Sequence, residues 1–183
     1  DGSTVVYIPE GEFKMGMESG VDNPLHSVNL SSFWIQQSEV TNHQYALCIA
    51  SGQCSAPLDA ERALALDEPA LGNVPVSGVN WQQSETYCAW IQGSLPTEAQ
   101  WEKAARGGLS GRRFPWGDTI THQQANYRSS TSYSYDMSTT RGYHPTYATG
   151  GMPYTSPVGS FAANGYGVVD MAGINLSAVL VSA

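Results

Sequence analysis

The sequence predicts one irregular α+β domain that is rich in loops. Its 183 residues are the length of an ordinary single domain. Glycine and proline contribute 19 and 10 residues, so turns interrupt much of the chain. Segments with strand periodicity and segments with helix caps both occur. Because 41% of the residues are hydrophobic and only 13% are charged, the chain can bury a core and is not intrinsically disordered.

The predicted strands lie at the two ends of the chain. VVYIPEGEFKMG alternates apolar and polar residues around Pro9–Gly11, which indicates two short strands joined by a turn. FWIQQSEV predicts another strand, with Phe33 and Ile35 on one face. Further along, YTSPVGSF and GYGVVDMAG predict short strands around turns.

The first predicted helix begins at Thr41. Tyr45, Cys48 and Ile49 recur at helical spacing, and Gly52 ends the helix. Residues 55–73 predict a loop that carries one helical turn.

Two further helices have clear capping signals. Asn80 caps the second helix while Gln83 reaches back, and Gly93 ends it. The third helix runs from the capping box at Thr97 to Gly107. The predicted buried stripe of the second helix is Trp81, Glu85, Cys88 and Ile91.

Charge excludes several classes of partner. Sixteen carboxylates against eight Lys and Arg residues give a net charge of −8, which would repel nucleic acid and anionic membrane surfaces. No apolar run is long enough for a membrane span, so direct membrane insertion is not expected. The one basic cluster is expected to be a solvated helix end, and it consists of Lys103, Arg106, Arg112 and Arg113.

The cysteines bear on the cellular compartment. A bridge between Cys48 and Cys54 would close a short loop and favour an extracytoplasmic location. The alternative is two free thiols in a cytosolic protein. Cys88 has aromatic neighbours and is interpreted as a packed core residue and not as a nucleophile.

Residues 128–149 are dominated by serine, threonine and tyrosine. Such a segment cannot form its own core, so we expect it on the surface, held down by tyrosine rings. Tyrosine and serine are also the residues of evolved binding surfaces. The candidate ligand-binding residues are therefore Tyr133, Tyr135, Tyr143 and Tyr147, and the alternative is a merely solvated loop.

No catalytic residue is predicted from the motifs. The four histidines show no metal-ligand spacing and are expected to be surface or capping groups; they are His26, His43, His122 and His144. Glu98 and Glu102 lie four apart on one helix face, as an acid–base pair could, but helix packing explains them equally well.

Several motifs occur together in a specific order. They are VVYIPEGEFKMG, FWIQQSEVTNHQY, PVSGVNWQQSETYCAWI, LPTEAQWEKAARGG, FPWGD and SPVGSFAANGYGVVDMAG. This series, from Val5 to Gly173, resembles the formylglycine-generating enzyme family, also called the sulfatase-modifying-factor family. The resemblance implies a C-type-lectin-like fold with about three helices and short antiparallel strands. The chain also resembles retroelement-diversified variable proteins and accessory domains of bacterial kinases.

The resemblance implies an oxidase only where the family's copper-binding cysteine pair is present. In the family that pair lies well past the DMAG motif, beyond a GGSW-like stretch. This sequence ends ten residues after Gly173 without either feature, so residues 1–183 are expected to form a single domain that lacks the family's C-terminal part. No copper is therefore expected in this chain. Cys48 and Cys54 fall where relatives often carry a structural bridge.

The resemblance also implies structural calcium. One family site corresponds to Asn126 and the carbonyl of Tyr127, but Gly150 stands where the family has an acidic residue.

The second family calcium site corresponds to Asp170 with the carbonyls of Gly173 and Asn175. Ser177 stands where the family has a glutamate. With one carboxylate missing at each site, weakened calcium binding is expected.

Three functions are compatible with these observations. The first is a non-catalytic binding domain on an extracytoplasmic protein or assembly, with a protein partner or another ligand. The second is a formylglycine-generating oxidase whose catalytic cysteines are missing from this chain. The third is a structural subunit of a larger complex.

Overall fold

The computed structural model describes residues 1–18, 23–147, 155–172 and 181–182. These residues form short strands and helices separated by long loops, as the sequence predicts. No described helix combines the length and the apolar content that crossing a membrane requires. The strands are β1 (Val5–Ile8), β2 (Gly11–Met15), β3 (His26–Leu30), β4 (Phe33–Gln36) and β5 (Val181–Ser182). The helices are α1 (Asn42–Ala50), α2 (Ala60–Ala65), α3 (Trp81–Trp90) and α4 (Glu98–Arg106), with a 3-10 turn at Pro69–Leu71.

The described strands form two antiparallel sheets. One has the order β1-β4-β5, and the other pairs β2 with β3. The two strands predicted around Pro9–Gly11 both form, but they join different sheets. Phe33 and Ile35 share a buried face of β4, as predicted. Strand β3 was not predicted, because three of its five residues are polar.

The strands predicted within the segment 155–172 are wrong, because this segment consists of turns and irregular chain. The side chain of Asn164 supplies the physical reason. Its Oδ1 accepts hydrogen bonds from the backbone N–H groups of Tyr166 and Val168, and its Nδ2 donates to the carbonyl of Ala104. A side chain thus replaces the neighbouring strand that these backbone groups would otherwise need. Tyr154 lies outside the described residues.

The three predicted helix starts are confirmed. Thr41, Asn80 and Thr97 each form a complete capping box with the glutamine three residues later. Helix α4 ends at Gly107, which has φ 57°. A Cβ at Gly107 would lie 2.8 Å from the backbone nitrogen of Gly165, so both the conformation and the close approach require glycine.

The predicted buried stripe of α3 is wrong at two positions. Trp81 is 61% exposed and Glu85 is also exposed, whereas Gln83 and Tyr87 are buried. The reason is tertiary: Gln83 Nε2 donates to the carbonyl of Ala56 at 2.8 Å, so the loop after α1 determines which helix face is covered.

The basic cluster is not a solvated helix end as a whole. Lys103 is 3% exposed, and its Nζ donates to the carbonyl of Gly11 at 2.9 Å. Burial lowers the pKa of Lys103, while the charge of Glu10 raises it. Arg106 is also largely covered, and only Arg112 and Arg113 are exposed. Lys103 and Arg106 therefore connect α4 by hydrogen bonds to the two ends of β2.

Two apolar clusters form the core of the described residues. The first joins the inner face of the β1–β4 sheet to α4 and contains Ile8, Phe33, Ile35, Ala104 and Val168. The second joins α1 to α3 and contains Val40, Tyr45, Cys48, Cys54, Val76 and Tyr87. Cys48 and Cys54 form a disulfide within this second cluster, which confirms the bridge as a structural element.

The disulfide yields a stability prediction. The bridged residues are six apart, and closing so short a loop removes about 2 kcal/mol of chain entropy from the unfolded state. We expect the double variant C48S/C54S to lose about that much unfolding free energy in a urea titration. Adding a thiol reductant should lower the urea midpoint of the wild type but not that of the variant. A reductant effect of equal size in both proteins would contradict this role.

Candidate functional site

An open cleft of about 1110 Å³ lies on the surface of the described residues. We call it the aromatic cleft. Its lining comes from the turn after β2, from α4, from the segment 109–136 and from Met171–Ala172. The cleft therefore depends on contacts between parts of the chain that are distant in sequence.

Several aromatic rings and the guanidinium of Arg113 lie close together in the cleft. Tyr133 and Tyr135 stack with ring centroids 5.3 Å apart, and Phe114 meets the Tyr135 ring edge-on at 5.6 Å. The guanidinium carbon of Arg113 lies 4.4 Å from the centroid of the Tyr135 ring. Trp101 of α4 adds a ring that is 39% exposed. Such rings offer a large contact area at small entropic cost.

The FPWGD motif shapes this part of the cleft. Phe114 and Gly117 exchange two backbone hydrogen bonds across a tight turn. Gly117 has φ 148°, which is accessible mainly to glycine. The turn stacks the rings of Phe114 and Trp116 at 5.7 Å and places Asp118 beside the guanidinium of Arg112.

A buried carboxylate holds the tyrosine segment in place. Asp136 is 5% exposed and accepts hydrogen bonds from the hydroxyl of Tyr127 and from the N–H groups of Ser130 and Ser138. Arg141 pairs with it at 3.2 Å. Burial alone would raise the pKa of Asp136, but the hydrogen bonds from Tyr127, Ser129 and the two backbone groups outweigh it and hold the pKa well below its ordinary value.

The described part of the predicted surface segment, 128–147, is mostly exposed, as expected, but it also contributes residues to the interior. Ser129, Asp136, Ser138 and His144 are all buried. The segment forms a polar core instead of an apolar one, in which hydrogen bonds compensate for the lost hydration.

Of the four histidines expected to be surface or capping groups, His122 and His144 do not lie at the surface: they are 8% and 7% exposed, with their rings 5.2 Å apart. Nε2 of His144 donates to the carbonyl of His122, and Nδ1 accepts from the N–H of Thr146. Both ring nitrogens are thus engaged by the neutral form. Burial lowers the pKa of His144; the bond to the His122 carbonyl opposes this and the charge of the His122 ring reinforces it.

This arrangement makes stability depend on pH. Because the folded state resists protonation of His144, the unfolded state binds the proton first as the pH falls through 6.5, the ordinary pKa. We expect the unfolding free energy to be level above pH 7 and to decrease below 6.5. The measurement is a urea midpoint at several pH values for the wild type and for His144→Gln. If both proteins lost stability in parallel over this range, His144 would not be the group responsible.

The structure brings together two of the four candidate tyrosines. Tyr133 and Tyr135 line the aromatic cleft. Tyr143 is 48% exposed and lies 5.4 Å from the guanidinium carbon of Arg128, which also lines the cleft. Tyr147 packs against His144 and Phe161. Trp101 and Arg113 also line the cleft, but no sequence pattern predicted them as members of the site.

The residues that the resemblance assigns to calcium are only partly described. Gly150, Gly173, Asn175 and Ser177 lie outside the described residues. Asn126 is half-buried, and the carbonyl of Tyr127 accepts a hydrogen bond from Nε2 of His122 at 3.2 Å. Among the described residues, no group of three or more His, Cys, Asp or Glu side chains could hold a metal ion.

Asp170 nevertheless has a property expected of a cation ligand. Its Oδ2 accepts a hydrogen bond from Gly159, but its buried Oδ1 has no hydrogen-bond partner among the described residues. Burial raises the pKa of Asp170, against the effect of the Gly159 and Phe161 N–H groups. A buried carboxylate oxygen without a partner fits a hard cation such as Ca²⁺.

No thiol in this chain is poised for chemistry. Cys48 and Cys54 are joined to each other, and Cys88 is fully buried with its pKa raised by burial to about 11. The interpretation of Cys88 as a core residue is confirmed. Glu98 is exposed, whereas Glu102 pairs with Arg106, a packing role of the kind expected for the third helix.

Comparison with known proteins agrees with this fold and these motifs. Residues 1–177 match the family model described as the sulfatase-modifying factor enzyme 1-like domain, and the chain belongs to this family. The serine/threonine-protein kinase pkn1 of Chlamydia caviae is 32% identical over 92% of this chain, and the formylglycine-generating enzyme of Streptomyces coelicolor is also 32% identical over 92%.

The chain spans 26% of the kinase and 65% of the Streptomyces enzyme. Among solved structures, Treponema denticola variable protein 1 matches with a TM-score of 0.62 and 21% identity, over 93% of this chain and 70% of that one. This likeness shows the fold, which is the C-type-lectin-like variant that the motifs imply.

Proposed function

We propose that this chain is a non-catalytic binding domain of the family, carried by an extracytoplasmic protein or assembly. The observation that carries the proposal is the state of its three cysteines. Oxidation of a thiol by oxygen at a copper(I) site of the family's kind needs two accessible sulfur ligands to hold the ion, but here two sulfurs are bonded to each other and the third is buried. The disulfide also supports an oxidising compartment.

The aromatic cleft supports the binding role. Its exposed rings and its volume of about 1110 Å³ suit a ligand larger than a small metabolite. The related kinase from Chlamydia carries a similar domain within a much longer chain, which fits a domain that recognises partners.

The absence of oxidase activity is directly testable. The purified protein is incubated with a cysteine-containing peptide, copper(I) and oxygen, and the peptide is analysed by mass spectrometry. We expect no conversion of cysteine to formylglycine. The oxidase alternative requires a longer parent chain with further cysteines after Ala183, and aldehyde formed by this polypeptide would overturn our proposal.

The binding role is tested by selecting ligands from a random peptide library displayed on phage. We expect selected peptides to lose binding to Tyr133→Ala and to keep binding to Tyr7→Ala. Tyr7 is a matched control, because it is 50% exposed and lies outside the cleft, whereas Tyr133 is 53% exposed within it. Selected peptides that bind both variants equally would show that the cleft is not the binding site.

We also propose that Asp170 takes part in a structural calcium site. Calcium at about 100 times its dissociation constant should stabilise the wild type by about 3 kcal/mol. The Asp170→Asn variant should show neither this stabilisation nor the heat of binding in a calorimetric titration. No heat and no change of Tm in the wild type would dispose of the site.

A further inference from the structure

The cationic side chains of this acidic chain are concentrated at the aromatic cleft. The chain has only eight Lys and Arg residues against sixteen carboxylates. Five of the eight cations line the cleft, whereas among the described residues only four carboxylates do. The five are Lys14, Arg106, Arg112, Arg113 and Arg128. The cleft is therefore much less acidic than the rest of the molecule.

Three of these cations are already paired within the protein. Arg106 bonds to Glu102, Arg112 to Asp118, and Lys14 lies 3.9 Å from Glu12. Arg113 and Arg128 differ, because no described carboxylate lies within 4.0 Å of either guanidinium. Both side chains are exposed.

Tyrosine rings hold these two guanidinium groups in place. Arg113 lies over Tyr135 at 4.4 Å, and Arg128 lies over Tyr143 at 5.4 Å. Such stacking fixes the planar fork of an arginine without occupying its N–H donors. The donors stay available for a carboxylate, and part of the entropy cost of ordering the side chain is already met in the free protein.

We propose that the aromatic cleft binds an acidic peptide segment, with its carboxylates on Arg113 and Arg128 and its apolar side chains on Tyr133 and Trp101. This inference rests on the proposed binding function and adds the chemical class of the partner. Charge complementarity decides the class, because a neutral or basic segment would leave both guanidinium groups unpaired. The open shape and the size of the cleft suit a stretch of chain more than a single anion.

The test uses a defined probe, a short fluorescein-labelled peptide of alternating glutamate and tyrosine, followed by fluorescence anisotropy. We expect Arg113→Gln and Arg128→Gln each to weaken binding about tenfold. Arg62→Gln is the matched control: Arg62 bonds to Ser77 and does not line the cleft, so affinity should change by no more than about twofold. High salt should weaken wild-type binding more than binding by the double arginine variant.

Three outcomes would overturn the inference. The first is equal or tighter binding of the matching lysine–tyrosine peptide. The second is unchanged affinity in both arginine variants, whose folding is verified by thermal melts. The third is tighter binding of a heparin-derived oligosaccharide than of the peptide, when the oligosaccharide also depends on Arg113 and Arg128. This result would assign the cleft to an anionic glycan.

The phage selection separates this inference from the proposed function. If the selected peptides depend on Tyr133 but contain no acidic residues, the binding function of the cleft is supported and the preference for an acidic peptide is refuted. If no selected peptide depends on Tyr133, both the binding function of the cleft and the preference for an acidic peptide are refuted.

Discussion

Asp136→Asn is expected to lower the unfolding free energy by about 3 kcal/mol, because it breaks a buried carboxylate network while preserving its shape. The carboxylate accepts from Tyr127, Ser130 and Ser138 and pairs with Arg141. An asparagine would place an NH₂ donor against groups that are themselves donors, so at least one buried N–H or O–H would lose its acceptor. Urea titration at pH 7 measures the loss.

The pH dependence of this loss identifies its origin. Because the folded pKa of Asp136 is lowered, its contribution is fully present above the ordinary pKa of 3.8 and is lost as the pH falls below that value. The difference between wild type and Asp136→Asn should therefore shrink in acid.

Asp118→Asn is the matched control, since Asp118 also pairs with an arginine but both partners are more than half exposed. Its urea midpoint should not change measurably. Equal midpoints for wild type and Asp136→Asn would refute the role of the buried network.

The helix starts could be predicted because their determinants are local. Thr41, Asn80 and Thr97 each contact a glutamine three residues away, so a short stretch of sequence contains both halves of the capping box. The family motifs then supplied the fold, which local patterns alone could not, since the two strands flanking Pro9–Gly11 join different sheets.

The polar core could not be predicted, because its members are far apart and individually resemble surface residues. His122 and His144 are 22 residues apart, and serine and aspartate are ordinarily exposed. Nothing in a composition count distinguishes a solvated Ser/Tyr loop from one folded around a buried carboxylate. Asp136 was therefore missed, although it positions the candidate tyrosines.

In the candidate site, too, some residues could be predicted from the sequence and others could not. Tyr133 and Tyr135 were identified from composition, and the structure places them in the aromatic cleft. Whether they bind a ligand stays a prediction. Arg113 was missed because its stacking on Tyr135 is a tertiary contact between residues 22 positions apart.

Glu102→Ala, at the opposite end of the cleft lining, should lower the unfolding free energy by about 2 kcal/mol. The loss should be smaller than for a fully buried ion pair, because the side chains of Glu102 and Arg106 are each about 15% exposed. Glu102 accepts from the N–H of Gly16 at 2.8 Å and pairs with Arg106, which in turn donates to the carbonyl of Gly16. Removing the carboxylate leaves a covered guanidinium unpaired and the Gly16 N–H without an acceptor.

The helix itself provides the control for Glu102→Ala. Glu98→Ala removes an exposed carboxylate from the first turn of α4. Because the carboxylate interacts only with the helix dipole, the unfolding free energy should fall by roughly a few tenths of a kcal/mol. Glu102→Gln should fall between the two, because an amide oxygen can still accept from Gly16 but carries no charge for Arg106. This ranking, measured by urea titration, separates the hydrogen bond to Gly16 from the ion pair. If Glu102→Ala lowered the unfolding free energy no more than Glu98→Ala, the ion pair would not be what holds the turn after β2 against α4. Another contact, such as that of Lys103 with Gly11, would then have to hold this part of the cleft together.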